Sequence, residues 1–166
     1  YGLEFLLKHQ PTDRFFGWLS YTLMKSERVD HPGEAKRLFD YDQTHILTLV
    51  ASAVLGRGWE AGVRFRLVSG NPDTPILGSI YDADSDIYWP VYGRTNSDRL
   101  PMFHQLDVRI DKNWEWKYLK FAVYIDVQNV YNQKNVEGFQ YSYDYSKRVY
   151  FTGLPILPSL GLILEY

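Results

Sequence analysis

Apolar and polar residues alternate with a period of two in seven separate segments, and no other feature constrains the fold of this chain as strongly. The seven segments are 2–10, 14–27, 43–55, 58–69, 103–112, 117–131 and 158–166. They are rich in β-branched and aromatic residues, and none approaches the roughly 18 consecutive apolar residues of a membrane-spanning helix. The pattern predicts an all-β chain of about seven antiparallel strands, each with one apolar face.

The connections between these segments alternate in length. Short turns are predicted at 11–13, 56–58 and 113–116, and long polar loops at 28–42, 70–102 and 132–157. In an antiparallel meander, all short turns lie at one end of the strands and all long loops at the other. That asymmetry is typical of the transmembrane up-and-down β-barrels of bacterial outer membranes.

Aromatic residues make up 17% of the chain, and many of them lie near the predicted short turns or at the end of the chain. This set comprises Phe15, Phe16, Trp18, Trp59, Trp114, Trp116, Tyr118 and Tyr166. In antiparallel strands they would collect at one rim, as the aromatic girdle of a membrane barrel does at the level of the lipid headgroups. The alternative is a soluble barrel whose core these rings cap.

The opposite strand face favours the membrane barrel, because it carries more charge than a packed core holds. Its charged residues in the later strands are Arg64, Arg66, Asp107, Arg109, Asp111, Lys120 and Asp126. We expect them to form the wall of a water-filled lumen and to pair across strands there.

Seven strands do not complete such a barrel, since single-chain bacterial barrels have even strand numbers with both ends periplasmic. The first strand begins where a long loop should end, and residues 1–10 lack the regions of a signal peptide. The expectation is therefore that residues 1–166 form the C-terminal arc of a larger barrel. The earlier strands would be absent from this chain or supplied by another one.

The last strand resembles the assembly signal of outer-membrane barrels. Ser159 is followed by Gly161, and then by hydrophobic residues that alternate up to Leu164 and the terminal Tyr166. By this resemblance, Gly161, Leu164 and Tyr166 would be read by the barrel assembly machinery. Pairing of an exposed strand edge, with alternate side chains giving specificity, is the physical basis of such recognition.

Several short motifs, in order, resemble the late barrel strands of TonB-dependent outer-membrane receptors. They are Asp42-Gln-Thr-His-Ile-Leu47, Gly56-Arg-Gly-Trp59, Val68-Ser-Gly-Asn-Pro72, Leu106-Asp-Val-Arg109 and Val127-Gln-Asn-Val-Tyr-Asn132. The resemblance implies a barrel of about 22 strands, an N-terminal plug and a TonB box. It also implies a bacterial outer-membrane location with a periplasmic C-terminus. Outer loops would capture a scarce solute, and a TonB-type inner-membrane complex would drive the plug to rearrange.

Two of the predicted long loops carry candidate solute-binding residues. In the first, Asp82, Asp84 and Asp86 alternate ahead of Tyr88, and their carboxylates could supply oxygen ligands to Ca²⁺. However, the glycine and distal glutamate of an EF-hand loop are missing, and an ordinary solvated acidic loop is the alternative. In the second, Tyr141, Tyr143 and Tyr145 supply rigid amphipathic contact area, or simply extend two strands.

Other function classes are less compatible with the sequence. The chain has no cysteine and a net charge of −2, which argues against a thiolate metal site and against a nucleic-acid partner. The four histidines show no metal-ligand spacing, and no catalytic constellation emerges, so an enzyme is not expected. A structural or adhesion barrel that binds a partner protein stays open as an alternative, as does, less favourably, an outer-membrane hydrolase.

Overall fold

The computed structural model describes residues 1–166 and contains only strands, turns and irregular segments. Seven strands form the main sheet: β1 (Gly2–His9), β2 (Phe15–Met24), β5 (His45–Gly56), β6 (Trp59–Val68), β11 (Phe103–Trp116), β12 (Leu119–Gln128) and β15 (Leu157–Glu165). Eight shorter strands pair outside it: β3 (Glu27–Arg28), β4 (Arg37–Leu38), β7 (Pro72–Asp73), β8 (Ile76–Asp82), β9 (Ile87–Tyr92), β10 (Asp98–Arg99), β13 (Val136–Tyr141) and β14 (Arg148–Thr152). The all-β antiparallel prediction is confirmed.

The main sheet is an antiparallel meander in which each strand pairs with the next long strand of the chain, in the order β1-β2-β5-β6-β11-β12-β15. It is open, and β1 and β15 are its edges. At one end, here called the short-turn end, Arg57 and Gly58 link β5 to β6 with positive φ angles of 53° and 77°. Two residues with positive φ suit the twist of a tight hairpin.

No helix in the structure is long and apolar enough to span a lipid bilayer.

The other end, here called the long-connection end, differs from the prediction of three long polar loops. These segments contain four two-stranded antiparallel pairs: β3 with β4, β7 with β10, β8 with β9, and β13 with β14. Prolines, glycines and aspartates interrupt the alternation there, and register shifts break the ladders at Gly78 and Gly138, so the period-two signal is weak. The predicted turn at 113–116 is also wrong, because β11 continues to Trp116 and the turn falls at 117–118.

Register gives the main sheet two faces of opposite character, because residues paired across strands share a face. The apolar face includes Leu3, Phe5, Leu7, Leu19, Tyr21, Leu47, Leu49, Ala51, Val63, Phe65, Val108, Ile110, Val123, Ile125, Leu160, Leu162 and Leu164. The polar face includes Ser20, Thr48, Ser52, Glu60, Arg64, Arg66, Gln105, Asp107, Arg109, Asp111, Lys120, Tyr124, Asp126, Ser159 and Gly161.

The sheet has almost no hydrophobic core of its own. Nine of the 166 residues are buried, and Val68 is the one large hydrophobic residue among them. The exposed surface is 11985 Å², whereas a globular monomer of 19.5 kDa exposes about 8,500 Å². The apolar face contributes to the difference, since Leu160, Leu162 and Ile125 are more than half exposed.

Candidate functional site

The polar face carries a cross-strand ion pair at its centre. Arg64 on β6 donates to the Asp107 carboxylate on β11 through Nε at 2.9 Å and Nη2 at 2.6 Å. Gln105 donates to the same carboxylate at 2.6 Å, and the backbone N–H of Asn129 does so at 2.9 Å. Asp107 is therefore 6% exposed and fully hydrogen-bonded, which joins β6, β11 and the end of β12.

The next arginine along β11 pairs within its own strand. Arg109 donates to Asp111 through Nε and Nη2, the shortest distance being 2.6 Å. Its guanidinium also lies 3.8 Å from the ring centre of Tyr124 on β12. Asp126 is directly opposite Arg109 in the register but forms no ion pair with it. The prediction of pairing across strands is therefore wrong for Arg109, because the Asp111 carboxylate, two residues further along the same strand, lies closer than that of Asp126.

Lys120 and Arg66 occupy the two ends of the polar face. Lys120 lies 3.8 Å from Glu115 near the short-turn end, and both side chains are largely exposed. Arg66 lies near the long-connection end, with its guanidinium 5.5 Å from the ring centre of Phe103. No carboxylate lies within 4.0 Å of Arg66, unlike Arg64 and Arg109.

The two predicted binding loops contact each other above the sheet. They are the turns of the β8–β9 and β13–β14 hairpins. The rings of Tyr88 and Tyr143 meet edge to face at 5.5 Å, and the Tyr143 hydroxyl donates to the Asp86 carbonyl. Ser79 donates to the Asp144 carbonyl at 2.6 Å. The structure thus gathers residues that are 57 and 65 positions apart into one aromatic surface.

The acidic turn of β8–β9 uses its carboxylates internally. Asp82 accepts the backbone N–H of Asp84 at 3.1 Å, and hydrogen bonds of this turn lower the pKa of Asp82. Asp86 accepts the Tyr81 hydroxyl at 2.9 Å, which raises the pKa of Tyr81. The structure contains no group of three acidic, histidine or cysteine side chains arranged to hold a metal ion. Calcium binding by Asp82, Asp84 and Asp86 stays a prediction, which titration of the protein with Ca²⁺ can test.

The β13–β14 hairpin presents the other predicted tyrosines. Tyr141 and Tyr145 lie 5.9 Å apart by ring centres, and Tyr145 occupies the turn with a φ of 59°. Hydrogen bonds from Ser142 and Ser146 lower the pKa of Asp144 in this turn to about 2. The hairpin is held by its own turn chemistry, which leaves Tyr143 67% exposed to solvent.

A buried ion pair braces the long-connection end, and sequence reasoning missed it. The Asp42 carboxylate, with no exposed surface, accepts the Ser26 N–H at 2.5 Å and an N–H of Arg99. Arg99 also donates to the carbonyls of Asp42 at 2.7 Å and Gly70 at 3.0 Å. These contacts join the β2–β5 connection to the β6–β11 connection.

The apolar face ends in a ring of aromatics at the short-turn end. Trp114 stacks on Phe121 at 5.4 Å, and Lys112 lies over both Trp59 and Trp114 at 5.2 and 5.3 Å. The Lys112 ammonium donates to the Arg57 carbonyl in the turn. The predicted girdle is therefore too broad. Phe16 and Trp18 pair with Ser52 and Val50, so alternation places them on the polar face.

A second set of aromatic side chains, which the sequence did not predict, borders the apolar face at the long-connection end. Tyr21 lies 2.9 Å from His45 Nδ1, and Tyr131 lies 2.8 Å from His104 Nδ1. Tyr21 and His104 stand in one row of the sheet, with Leu47 and Leu67 between them. The sequence pattern does not reveal this set, because histidine is not typical of an aromatic girdle. In addition, Tyr131, which contacts His104, lies after the end of β12.

The last strand places its predicted signal residues on both faces. Gly161 pairs with Tyr124, whose ring lies over it, so that a Cβ at this position would overlap the ring. Leu164 is on the apolar face at 62% exposure, and Tyr166 is fully exposed. Gly161 therefore leaves room for the ring of Tyr124, and this ring in turn contacts Arg109 on the polar face.

Comparisons with protein-family models, with curated proteins and with solved structures found no match. The resemblance to TonB-dependent receptors accordingly rests on the sequence motifs alone.

Proposed function

We propose that this chain forms the C-terminal arc of a transmembrane β-barrel in a bacterial outer-membrane uptake receptor. The observation that carries the proposal is the apolar face, which nothing in the chain covers. Burying apolar surface stabilises a fold by about 25 cal/mol per Å², so a face of this extent needs a partner outside the sheet. Lipid is the partner that fits a face bounded on two sides by amphipathic rings.

The spacing of the two rings supports this partner. Along β11, ten residues separate His104 from Trp114. At about 3.3 Å per residue they span roughly 33 Å of strand. A strand tilted by about 40° then crosses about 25 Å, which is the height of the apolar band in outer-membrane barrels.

The direction of the edge strands supports membership of a larger barrel. β1 and β15 both run from the long-connection end to the short-turn end, since an even number of antiparallel steps separates them. Direct pairing of these edges would be parallel. An all-antiparallel closure needs an odd number of further strands between them, and a barrel of about 22 strands supplies 15. In lipid, both edges must be paired.

The proposed receptor role rests on the hairpins at the long-connection end and on the polar face of the sheet. The braced hairpins present exposed tyrosines at the end that would face the outside, and the polar face leads from them along the wall. By the family resemblance, a plug domain and a TonB-type complex would supply gating and energy, and the barrel assembly machinery would read β15. The C-terminus would be periplasmic.

Cysteine labelling tests this topology directly, because the chain has no native cysteine. Cysteines at Asp84 and Asp144, in the turns of the two hairpins, should react with a membrane-impermeant maleimide on intact cells. A cysteine at Arg57, in the short β5–β6 turn, should react only after the outer membrane is opened. Labelling of Arg57 but not of the hairpin turns in intact cells would refute the orientation.

A further inference from the structure

We infer that the polar face contains a binding site for a zwitterionic solute, such as a short peptide with apolar side chains, between Arg66 and Glu137. This inference rests on the proposed uptake function for its biological role, because it names the class of solute that would pass along the wall. The binding itself is independent of uptake and of membrane orientation.

The site is an open cavity of about 340 Å³ at the long-connection end of the polar face. It lies where β6 and β11 meet the start of β13. Among the residues that line it, only Arg66 and Glu137 are ionisable. The cavity therefore holds one positive and one negative side chain and has no net charge.

Arg66 is available to a ligand, whereas its neighbours on the polar face are engaged. Arg64 and Arg109 each donate to a carboxylate at 2.6 Å, but Arg66 has no carboxylate within 4.0 Å. Its contact with the ring of Phe103 at 5.5 Å orients the guanidinium and leaves its N–H groups free. A guanidinium in this state matches a carboxylate with two parallel hydrogen bonds.

A second donor lies on the same cavity wall. Gln43 donates its amide N–H to Asn71 Oδ1 at 3.1 Å, which fixes the orientation of the Asn71 amide. The Asn71 Nδ2 group has no hydrogen-bond partner in the protein and can donate to a bound carboxylate.

Glu137 supplies the complementary charge on β13. It makes no ion pair, and it lines both this cavity and the neighbouring one at Gly153, over which its carboxylate lies. A free carboxylate in this cavity binds an ammonium group and repels a simple anion, just as Arg66 repels a simple cation. A solute that carries both groups satisfies both side chains.

The remaining wall accommodates an apolar body. Ile46, Val68, Leu100 and Phe103 line the same cavity. Val68, the last residue of β6, is buried. Burial of an apolar side chain here adds affinity that acetate or a simple amine lacks.

Protection of Arg66 from phenylglyoxal tests the inference on the protein purified in a mild detergent. Modification of each arginine is followed by mass spectrometry, with leucyl-leucine, acetate or methylammonium as the probe. We expect saturating dipeptide to slow modification of Arg66 about tenfold or more, because a guanidinium that donates charge-assisted hydrogen bonds to a bound carboxylate is shielded from the reagent. Arg57, which forms no ion pair and lies at the opposite end, should react at an unchanged rate. Acetate and methylammonium should protect Arg66 little.

Two variants separate a zwitterion site from an anion site. Glu137→Gln should abolish most protection by the dipeptide, and the exchange Arg66→Glu with Glu137→Arg should restore it at the introduced arginine. Equal protection of Arg66 by acetate, or full protection in Glu137→Gln, would overturn the inference. Because this assay does not involve cells, its result is distinguishable from failure of the labelling pattern that tests the uptake proposal.

Discussion

Replacing Ala51 by arginine is expected to destabilise the sheet in a lipid bilayer by about 2–4 kcal/mol. Ala51 lies on the apolar face of β5, midway between His45 in one aromatic ring and Gly56, which pairs with Trp59 in the other. A charge at the middle of a lipid-facing strand has no water and no partner within reach. The measurement is the free energy of unfolding, from urea titration of the closed barrel proposed above, with this arc as part of it, refolded into phospholipid vesicles.

The matched control is the next residue, Ser52, on the polar face of the same strand. Its hydroxyl donates to Glu60 at 2.5 Å, and an arginine there can pair with the same carboxylate. We expect Ser52→Arg to change the free energy of unfolding by less than about 1 kcal/mol. If both substitutions have the same small effect, the apolar face does not contact lipid.

Replacing Asp42 by alanine should give the second large effect, a loss of about 3 kcal/mol in the free energy of unfolding. The change leaves the Ser26 N–H and one side of the Arg99 guanidinium without a partner at a site with no solvent exposure at Asp42. Glu34→Ala is the control on the same connection, because the Glu34 side chain is 54% exposed and its one ionic contact is with the exposed His31. Its effect should be clearly smaller. Equal effects would show that the Asp42 brace does not hold the long connections.

The same brace predicts a pH dependence. Burial alone would raise the pKa of Asp42, but the hydrogen bonds from Ser26 and Arg99 outweigh it, and the folded pKa is lowered. Such a group contributes stability above its unfolded pKa of about 3.9, and this contribution is lost as pH falls through the lower folded value. We expect the wild-type protein to lose stability below about pH 4 more steeply than Asp42→Asn. Parallel acid titrations of the two proteins would contradict this.

The sequence predicts the main sheet well because its faces differ so strongly. Strands with Val63, Phe65 and Ile110 against Arg64 and Asp111 alternate clearly, so the number of strands and their two faces follow from the period, and the short turns between neighbours predict the antiparallel order. At the long-connection end the sequence predicts loops, with paired strands only as the alternative for the segment around Tyr141–Tyr145. The alternation in the observed hairpins is broken by glycine and proline, and their pairing is supported by contacts between distant turns, such as Tyr88 with Tyr143.

The candidate site shows the same division. The alternation of residues along each strand places Arg64, Arg66 and Asp107 on the same face. It does not show which arginine has a partner, because pairing depends on distances of a few ångström between side chains on neighbouring strands. Asp42 and Arg99 are 57 residues apart, and no local pattern relates them. Only the arrangement of the neighbouring side chains in the structure shows that Arg66 has no carboxylate partner.

Single spin labels along β5 show whether one face of the sheet contacts lipid and the other water. Labels at positions 46–54, in the closed barrel proposed above and in phospholipid vesicles, are compared for collisions with oxygen, which concentrates in lipid, and with a water-soluble nickel chelate. We predict that oxygen access peaks at Leu47, Leu49, Ala51 and Ala53, and that nickel access peaks at the alternate positions. Nickel access of equal strength on both faces would contradict the membrane barrel.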